Sequence, residues 1–120
     1  MFIKDLEDCK EFIAGDNSIL KELLHPDKDP VEIHFSLAYA RVKPGDETYK
    51  HKLRTSEVYY IINGAGIMHI NDEQKEVFPH QVIYIPPRSV QWIKSTGDED
   101  LVFISLVDPA WQATDEEVCD

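Results

Sequence analysis

The chain has 120 residues, with 12 Lys and Arg against 23 Asp and Glu, which gives a formal net charge of −11. This charge excludes nucleic acid and anionic membranes as main partners, because both are bound through clustered Lys and Arg. The length predicts one domain, and a hydrophobic fraction of 42% argues against disorder. We therefore expect a globular domain whose partner is a small molecule.

The ends of the chain give the first indications of its compartment. The N-terminal residues show no basic region followed by an apolar stretch, so no signal peptide is predicted. The two cysteines, Cys9 and Cys119, provide no disulfide framework and no zinc-ligand spacing. These features favour a cytoplasmic protein.

In chain order, the first predicted element is a short helix within residues 5–13, where apolar residues recur at helical spacing. Residues 18–25 favour a strand slightly over a helix capped by Ser18. Together, residues 1–30 are expected to form an N-terminal extension packed on the rest of the domain. Residues 108–120 are expected to form an acidic, solvated tail in which Trp111 packs on the domain.

The middle of the chain, residues 31–107, has the rhythm of an all-β domain. Short apolar and β-branched runs alternate with Gly, Pro, Asn and Asp, and Asn63-Gly64 is a strong hairpin signal. This pattern is typical of a barrel or a sandwich. The predicted strands are 31–42, 57–62, 67–70, 82–85, 90–94 and 101–107.

The residues with the clearest chemical meaning lie within 45–64. Gly45, His51, Glu57 and Gly64 have the spacing G-x5-H-x-H-x3,4-E-x6-G, with Leu53 in place of the second His. This stretch resembles the first motif of the cupin family. The resemblance implies an all-β, single-domain, double-stranded β-barrel of the jelly-roll type, and it also implies a homodimer.

A second stretch, 80–95, resembles the second cupin motif, G-x5-P-x-G-x2-H-x3-N. Pro86 matches, whereas His80 and Arg88 stand at the two glycine positions, Gln91 at the metal-binding His and Ser95 at the Asn. The resemblance as a whole covers roughly residues 34–107, which is most of the chain. These departures from the motif affect the predicted metal ligands more than the predicted fold.

The resemblance implies a divalent metal, Mn, Fe, Ni or Zn, held by inward-facing side chains. His51, Glu57 and Gln91 are the predicted ligands, although an amide oxygen is a weak donor and Leu53 offers none. A fourth donor has to come from elsewhere. The candidates by residue type are His25, His34, His69, His80, Tyr49 and Tyr59.

Two roles are open for His51 and Glu57. Because they are six residues apart on a β segment, both can face the same side. They can hold the metal, or they can form a buried hydrogen-bonded pair without one. If they are buried without a metal, the pKa of Glu57 is expected to be raised, so that Glu57 and His51 are the candidate catalytic pair for proton transfer.

The candidate ligand-binding residues are Arg88, Tyr59 and Gln91. Residues 41–54 hold five basic and two acidic side chains, a local +3, which predicts either a solvated outer face or a basic rim that attracts an anion. One face of strand 31–42 is small and can line a cavity. That face carries His34, Ser36, Ala38 and Ala40.

Two functions follow from these observations. The first is a cupin that binds a divalent metal and a small polar, anionic ligand, with sugar-phosphate isomerase-like chemistry suggested by a resemblance to mannose-6-phosphate isomerase-like cupins. The second is a degenerate, metal-free cupin that serves as a small-molecule binding or structural protein. The sequence leaves open whether the chain is an enzyme.

Overall fold

Two antiparallel sheets pack against each other in the computed structural model, which describes residues 1–119. Within those residues the regular structure consists of strands and two 3₁₀ turns, and no helix is long and apolar enough to cross a membrane. The predicted all-β jelly-roll barrel is confirmed. The strands are β1 (Glu11–Ile13), β2 (Ile19–Leu24), β3 (Ser36–Val42), β4 (His51–Leu53), β5 (Ser56–Asn63), β6 (Gly66–Ile70), β7 (Glu73–Val77), β8 (Val82–Ile85), β9 (Gln91–Ser95), β10 (Leu101–Asp108) and β11 (Glu116–Val118).

The six-stranded sheet has the order β1-β2-β3-β10-β5-β8. Its centre is β10, which pairs with β3 from Leu101–Val42 to Val107–Ser36 and with β5 on its other side. The N-terminal strands β1 and β2 continue this sheet beyond β3. Residues 1–30 therefore supply two strands of the sheet.

The five-stranded sheet has the order β11-β4-β9-β6-β7. The C-terminal strand β11 forms one edge and lies opposite β4, with Glu116 against Leu53 and Val118 against His51. The next pairing, between β4 and β9, aligns His51 with Gln91. Strand pairing thus gathers residues from distant parts of the chain around His51.

The core lies between the sheets because alternate side chains of each strand point inward. On β5 the buried positions are Glu57, Tyr59 and Ile61, and on β9 they are Gln91 and Ser95 with Ile93 between them. Besides its apolar cluster, the interior contains buried polar side chains, and His51, Glu57 and Ser105 are among those that line a cavity. The fully buried apolar residues include Ile61, Ile85, Ile93, Leu101 and Phe103.

The turn predicted at Asn63-Gly64 is confirmed and only glycine fits it, but the hairpin is wrong, because β5 and β6 belong to different sheets and do not pair. Gly64 has a φ of +83°, and an added Cβ would lie 2.5 Å from the carbonyl oxygen of Asp100. The turn connects β5 to β6 and so links the two sheets.

Three local predictions are corrected by the structure. The helix expected within 5–13 is wrong, since a three-residue 3₁₀ turn at Leu6–Asp8 precedes β1. The strand expected at 31–42 begins only at Ser36. Strand β7 is missing from the sequence prediction because its side chains are polar and exposed, as in a loop.

The strand preference for residues 18–25 is confirmed by β2. The acidic tail, in contrast, is not simply solvated, since β11 lies within it. Strand formation there depends on pairing with β4, which no local pattern reveals.

Candidate metal centre and barrel cavity

The barrel interior contains a cavity of about 200 Å³. The small side chains of Ser36, Ala38 and Ala40 form part of its wall, as expected from the alternation along β3. His34, which the same alternation placed beside them, is exposed. The small residues of β3 therefore leave room for the cavity, and the ionisable side chains that line it come from other segments of the chain.

His51 lies at the start of β4 and is only 2% exposed. Its Nδ1 lies 2.7 Å from the carbonyl oxygen of Tyr49. Because a carbonyl oxygen only accepts, Nδ1 carries a proton and donates it, which leaves the lone pair of a neutral ring on Nε2. This arrangement fixes the orientation of the ring and directs Nε2 to the cavity side.

Asp16 faces His51 from the loop between β1 and β2. Its Oδ2 lies 3.6 Å from His51 Nε2. Its Oδ1 accepts hydrogen bonds from the backbone N–H of Ser18 at 3.0 Å and from the Ser18 hydroxyl at 2.6 Å. The backbone of Tyr49 donates to the Asp16 carbonyl at 2.8 Å, so the loop is attached directly to the segment that leads into β4.

Glu116 completes the group from the opposite end of the chain. It opens β11, and its Oε2 accepts a hydrogen bond of 3.0 Å from the indole Nε1 of Trp111. Burial raises the pKa of Glu116, the charge of Asp16 raises it further, and the Trp111 hydrogen bond and His51 oppose the shift. Two carboxylates held this close disfavour each other's ionisation unless a cation lies between them.

Asp16, His51 and Glu116 each offer one ligand atom, and these atoms all lie within 4.8 Å of one another. One imidazole nitrogen and two carboxylate oxygens are suitable donors for a divalent transition metal, and the two negative charges would balance its charge. Each donor is already oriented by a second hydrogen bond or by its strand. The residues of the cavity therefore fit a metal ion, with a ligand set that shares only His51 with the predicted one.

Glu57 lies in the same cavity wall on β5 and is 6% exposed. Its Oε2 accepts a short hydrogen bond, 2.6 Å, from the hydroxyl of Ser105. Its Oε1 is buried and has no hydrogen-bond partner among the described residues. Burial raises the pKa of Glu57 to about 7, with the charge of Asp16 adding to the rise and Ser105, His51 and Gln91 opposing it.

Tyr59 and Gln91 are placed side by side. Both are buried, and the Tyr59 hydroxyl donates to Gln91 Oε1 at 3.3 Å. Burial, followed by the charge of Glu57, raises the pKa of Tyr59 well above its ordinary value, so the hydroxyl stays protonated. Tyr59 lines the cavity together with Leu53, whereas Gln91 lies behind Tyr59.

Arg88 is exposed and lies outside the residues that line the cavity. Its backbone N–H donates to the carbonyl of Leu53 at 2.7 Å, so the loop is anchored next to β4. The basic side chains of residues 41–54 also face away from the cavity, and two of them pair with acids: Arg41 with Glu11, and Arg54 with Asp115. This arrangement is that of a solvated outer face, and contact of Arg88 with a ligand stays a prediction.

The remaining candidate donors lie elsewhere. His25 is buried but uses both ring nitrogens, with Nδ1 accepting from Asp27 and Nε2 donating to the Trp111 carbonyl. His69 stacks on Trp92 at 4.1 Å, on the outer face of the second sheet. Among the described residues, the additional donors near His51 are carboxylates that the sequence analysis did not consider.

Asp16 and Glu116 were missed for different reasons. Asp16 lies in a turn and Glu116 in an acidic run, and both positions are commonly solvated. A usable signal for Asp16 was an Asp followed two residues later by Ser. This spacing is typical of an Asx turn, in which the Asp carboxylate accepts a hydrogen bond from the backbone N–H two residues on. No comparable local signal identifies Glu116, because its place depends on the pairing of β11 with β4.

Comparisons with known proteins bear on the fold and the family. The sequence model described as a cupin domain matches residues 38–107. An uncharacterized protein of Methanocaldococcus jannaschii is 36% identical over 115 residues, which span 95% of this chain and 91% of that protein. A Cupin 2 conserved barrel domain protein from Salinispora arenicola superposes with a TM-score of 0.78 at 19% identity, covering 95% of this chain and 91% of that one.

A more distant relative has a described activity. The glucose-6-phosphate isomerase of Thermococcus kodakarensis is 27% identical over 97 residues, covering 77% of this chain and 47% of the isomerase. The chain thus matches about half the length of that enzyme. The matched cupin segment, 38–107, includes His51, Glu57 and Gln91 and leaves out Asp16 and Glu116.

Proposed function

The chain belongs to the cupin family, and from this membership we propose that it binds a divalent metal and a small polar ligand in its barrel cavity. The observation that carries the proposal is the group of Asp16, His51 and Glu116, whose ligand atoms lie within 4.8 Å of one another at the cavity wall. The Nε2 lone pair of His51 and the two carboxylates would hold the ion. Bound there, the metal supplies Lewis-acid polarisation of a ligand oxygen.

Ligation by Glu57 and Gln91 stays a prediction from the resemblance. Gln91 Oε1 and Glu57 Oε2 already accept hydrogen bonds from Tyr59 and Ser105. The other oxygen of Glu57, Oε1, has no partner among the described residues, but Glu57 lies outside the group of donors within 4.8 Å of one another. Leu53, at the place of the family's second His, presents a hydrocarbon surface to the cavity. These contacts favour the group around Asp16 and Glu116 as the metal's ligands.

The finer proposal is isomerase-like chemistry on a small anionic molecule such as a sugar phosphate. An aldose–ketose conversion takes a proton from one carbon and returns it to the neighbouring carbon, while the hydroxyl proton passes from one of their oxygens to the other. The carbon-to-carbon transfer needs a group that both accepts and donates a proton near neutrality. Glu57, with its pKa raised to about 7, suits that role, and His51 is the second candidate. The similarity to a glucose-6-phosphate isomerase supports this proposal, and it extends over about half of that enzyme's length.

Metal binding is tested by loading the purified protein with Mn²⁺, Fe²⁺, Ni²⁺ and Zn²⁺, removing excess ion and measuring metal content. We expect about one ion per chain in the wild type and loss of the ion in His51→Ala, Asp16→Asn and Glu116→Gln. Glu117→Gln is the matched control, because this neighbour of Glu116 is exposed. A wild type that retains none of the four ions would overturn the proposal.

The second candidate function is a metal-free cupin that binds a small molecule without catalysis. It is favoured by the loss of a ligand at Leu53 and by the engaged oxygen of Gln91. In this version Asp16 Oδ2 and His51 Nε2 lie 3.6 Å apart with no ion between them. The metal measurement separates the two candidates, because only the first requires Asp16 and Glu116 to act through an ion.

A further inference from the structure

The unpaired oxygen of Glu57 is the part of the cavity that the metal group does not explain. Oε1 is buried without a hydrogen-bond partner, although a buried carboxylate oxygen is costly to leave unmatched. The two nearby hydroxyls are already committed, Ser105 to the other oxygen of Glu57 and Tyr59 to Gln91. The Gln91 side chain lies close enough to oppose the raised pKa of Glu57, but it makes no hydrogen bond to Oε1 in the structure, so a donor for Oε1 can come from the contents of the cavity.

The size of the cavity limits what those contents can be. About 200 Å³ is available, which corresponds to roughly six or seven water molecules at about 30 Å³ each. This volume is below the range of about 300–1,000 Å³ that is usual for drug-sized ligands. A ligand of only a few carbon atoms that touches the metal group will also contact Glu57, because both line the same space.

The charges of the cavity point to the kind of donor. Asp16 and Glu116 would balance a divalent ion, and the carboxylate of Glu22 is paired with Lys28 at 2.8 Å. Glu57 is thus the carboxyl group of the cavity wall without a cationic partner or a metal. It can accept a hydrogen bond from a hydroxyl, but it repels a second anionic group placed against it.

We propose that Glu57 Oε1 accepts a hydrogen bond from a hydroxyl group of the ligand, and that this hydroxyl is on the carbon adjacent to the one whose oxygen the ligand gives to the metal. The ligand class is therefore small α-hydroxy carbonyl and α-hydroxy carboxyl compounds. This inference rests on the proposed function, since it needs the metal to hold the neighbouring oxygen. It assigns Glu57 to ligand selection and not to metal binding.

The test uses two matched pairs of probes, lactate with propionate and glycolate with acetate, which differ by the hydroxyl alone. Binding to the metal-loaded protein is measured by titration calorimetry, and metal content is measured on the same samples. The wild type is expected to bind each hydroxy acid about tenfold more tightly than its partner, as for a hydrogen bond to a charged group. In Glu57→Gln this ratio is expected to fall to about 1 with metal content unchanged.

Two further variants keep the test decisive. Glu22→Gln changes another carboxylate of the wall and should keep the wild-type ratio, because Glu22 is already paired with Lys28. Ser105→Ala removes the hydrogen bond that orients Glu57 and should lower the ratio about threefold, even if Glu57→Gln fails to fold.

Each failure has a distinct meaning. If the loaded wild type binds neither member of a pair, or does not prefer the hydroxy acids, the inference is overturned and the metal proposal stands. If Glu57→Gln loses the ion as Glu116→Gln does, Glu57 is a metal ligand and the inference is wrong. If the wild type holds no metal, the proposed function fails and the inference fails with it.

Discussion

The cavity has two walls with different origins. One wall comes from the matched cupin segment and contains His51 and Glu57, which are buried, with Glu57 Oε1 left without a partner. The other wall comes from the two ends of the chain and contributes Asp16 and Glu116. The difference teaches that the barrel-building segment supplies the imidazole of the candidate metal site, whereas both carboxylates of that site come from outside it, so the two walls make separable contributions.

The largest expected effect belongs to the barrel-building segment. Ile61→Ala should lower the free energy of unfolding by about 2–5 kcal/mol, because it removes a fully buried side chain and leaves a cavity. Its neighbour Ile62 is 40% exposed, so Ile62→Ala should cost less than about 1 kcal/mol. Urea unfolding measures both. Metal content should be unchanged in the folded Ile61→Ala protein, and its loss would show that the two walls are not separable.

The next effect is the pH dependence that Glu57 confers on the metal-free protein. Its pKa is raised from 4.5 to about 7 by folding, so the folded state holds a proton that the unfolded state loses between these values. Stability should therefore fall as the pH rises through this window, by on the order of 2–3 kcal/mol.

Thermal unfolding between pH 4 and pH 8 measures this slope, with Glu57→Gln as the comparison. The variant lacks the titrating group, so its stability should fall less over the same window. The raised pKa of Glu116 adds a slope of the same sign, which Glu57→Gln keeps. Equal slopes in both proteins would mean that Glu57 titrates near its ordinary pKa.

A third change adds a donor to the barrel-building wall. Leu53→His restores the family's second His at a buried position that lines the cavity and lies opposite Glu116. An added imidazole donor should raise metal affinity, by at least the roughly tenfold that the loss of a supporting partner of a metal ligand costs. Competition with a chelator measures it, and Lys52→His, on the outer side of the same strand, is the control. Unchanged affinity would indicate that position 53 does not face the ion.

The smallest effect concerns how the C-terminal segment is held. Arg54 pairs with Asp115 at 2.8 Å, but its side chain is 63% exposed. Such a pair contributes less than about 1 kcal/mol to stability, so Arg54→Ala should barely change the unfolding midpoint. A larger loss, or a marked drop in metal affinity, would mean that this ion pair holds β11 and Glu116 in position.

The sequence predicted those features that have a local cause. The family resemblance predicted that His51 and Glu57 face inward, and both are buried, but they lie on β4 and β5 of different sheets and not on one continuous β segment. Asn63-Gly64 predicted a turn, and Gly64 has the positive φ that such a turn requires. The family resemblance added the barrel. No local pattern predicted that Asp16 and Glu116 lie close together, because strand pairing brings these residues from opposite ends of the chain to the same site.

The exposed strands were the other weak point of prediction. The residues of β7 are polar up to Val77, since this edge strand faces solvent and makes no inward alternation until its end. The tail strand β11 resembles a solvated acidic run for the same reason. Edge strands are stabilised mainly by backbone pairing with one neighbour, and the side-chain pattern records little of that.

The hydrogen bond between Trp111 and Glu116 gives the protein an optical reporter at its cavity. The chain has two tryptophans, and the other, Trp92, lies on the outer face of the second sheet, stacked on His69 with Lys50 above its ring. A Trp92→Phe variant would leave Trp111 as the single indole emitter, in contact with a candidate ligand carboxylate. Ion entry and ligand entry can then be followed by fluorescence without any attached dye.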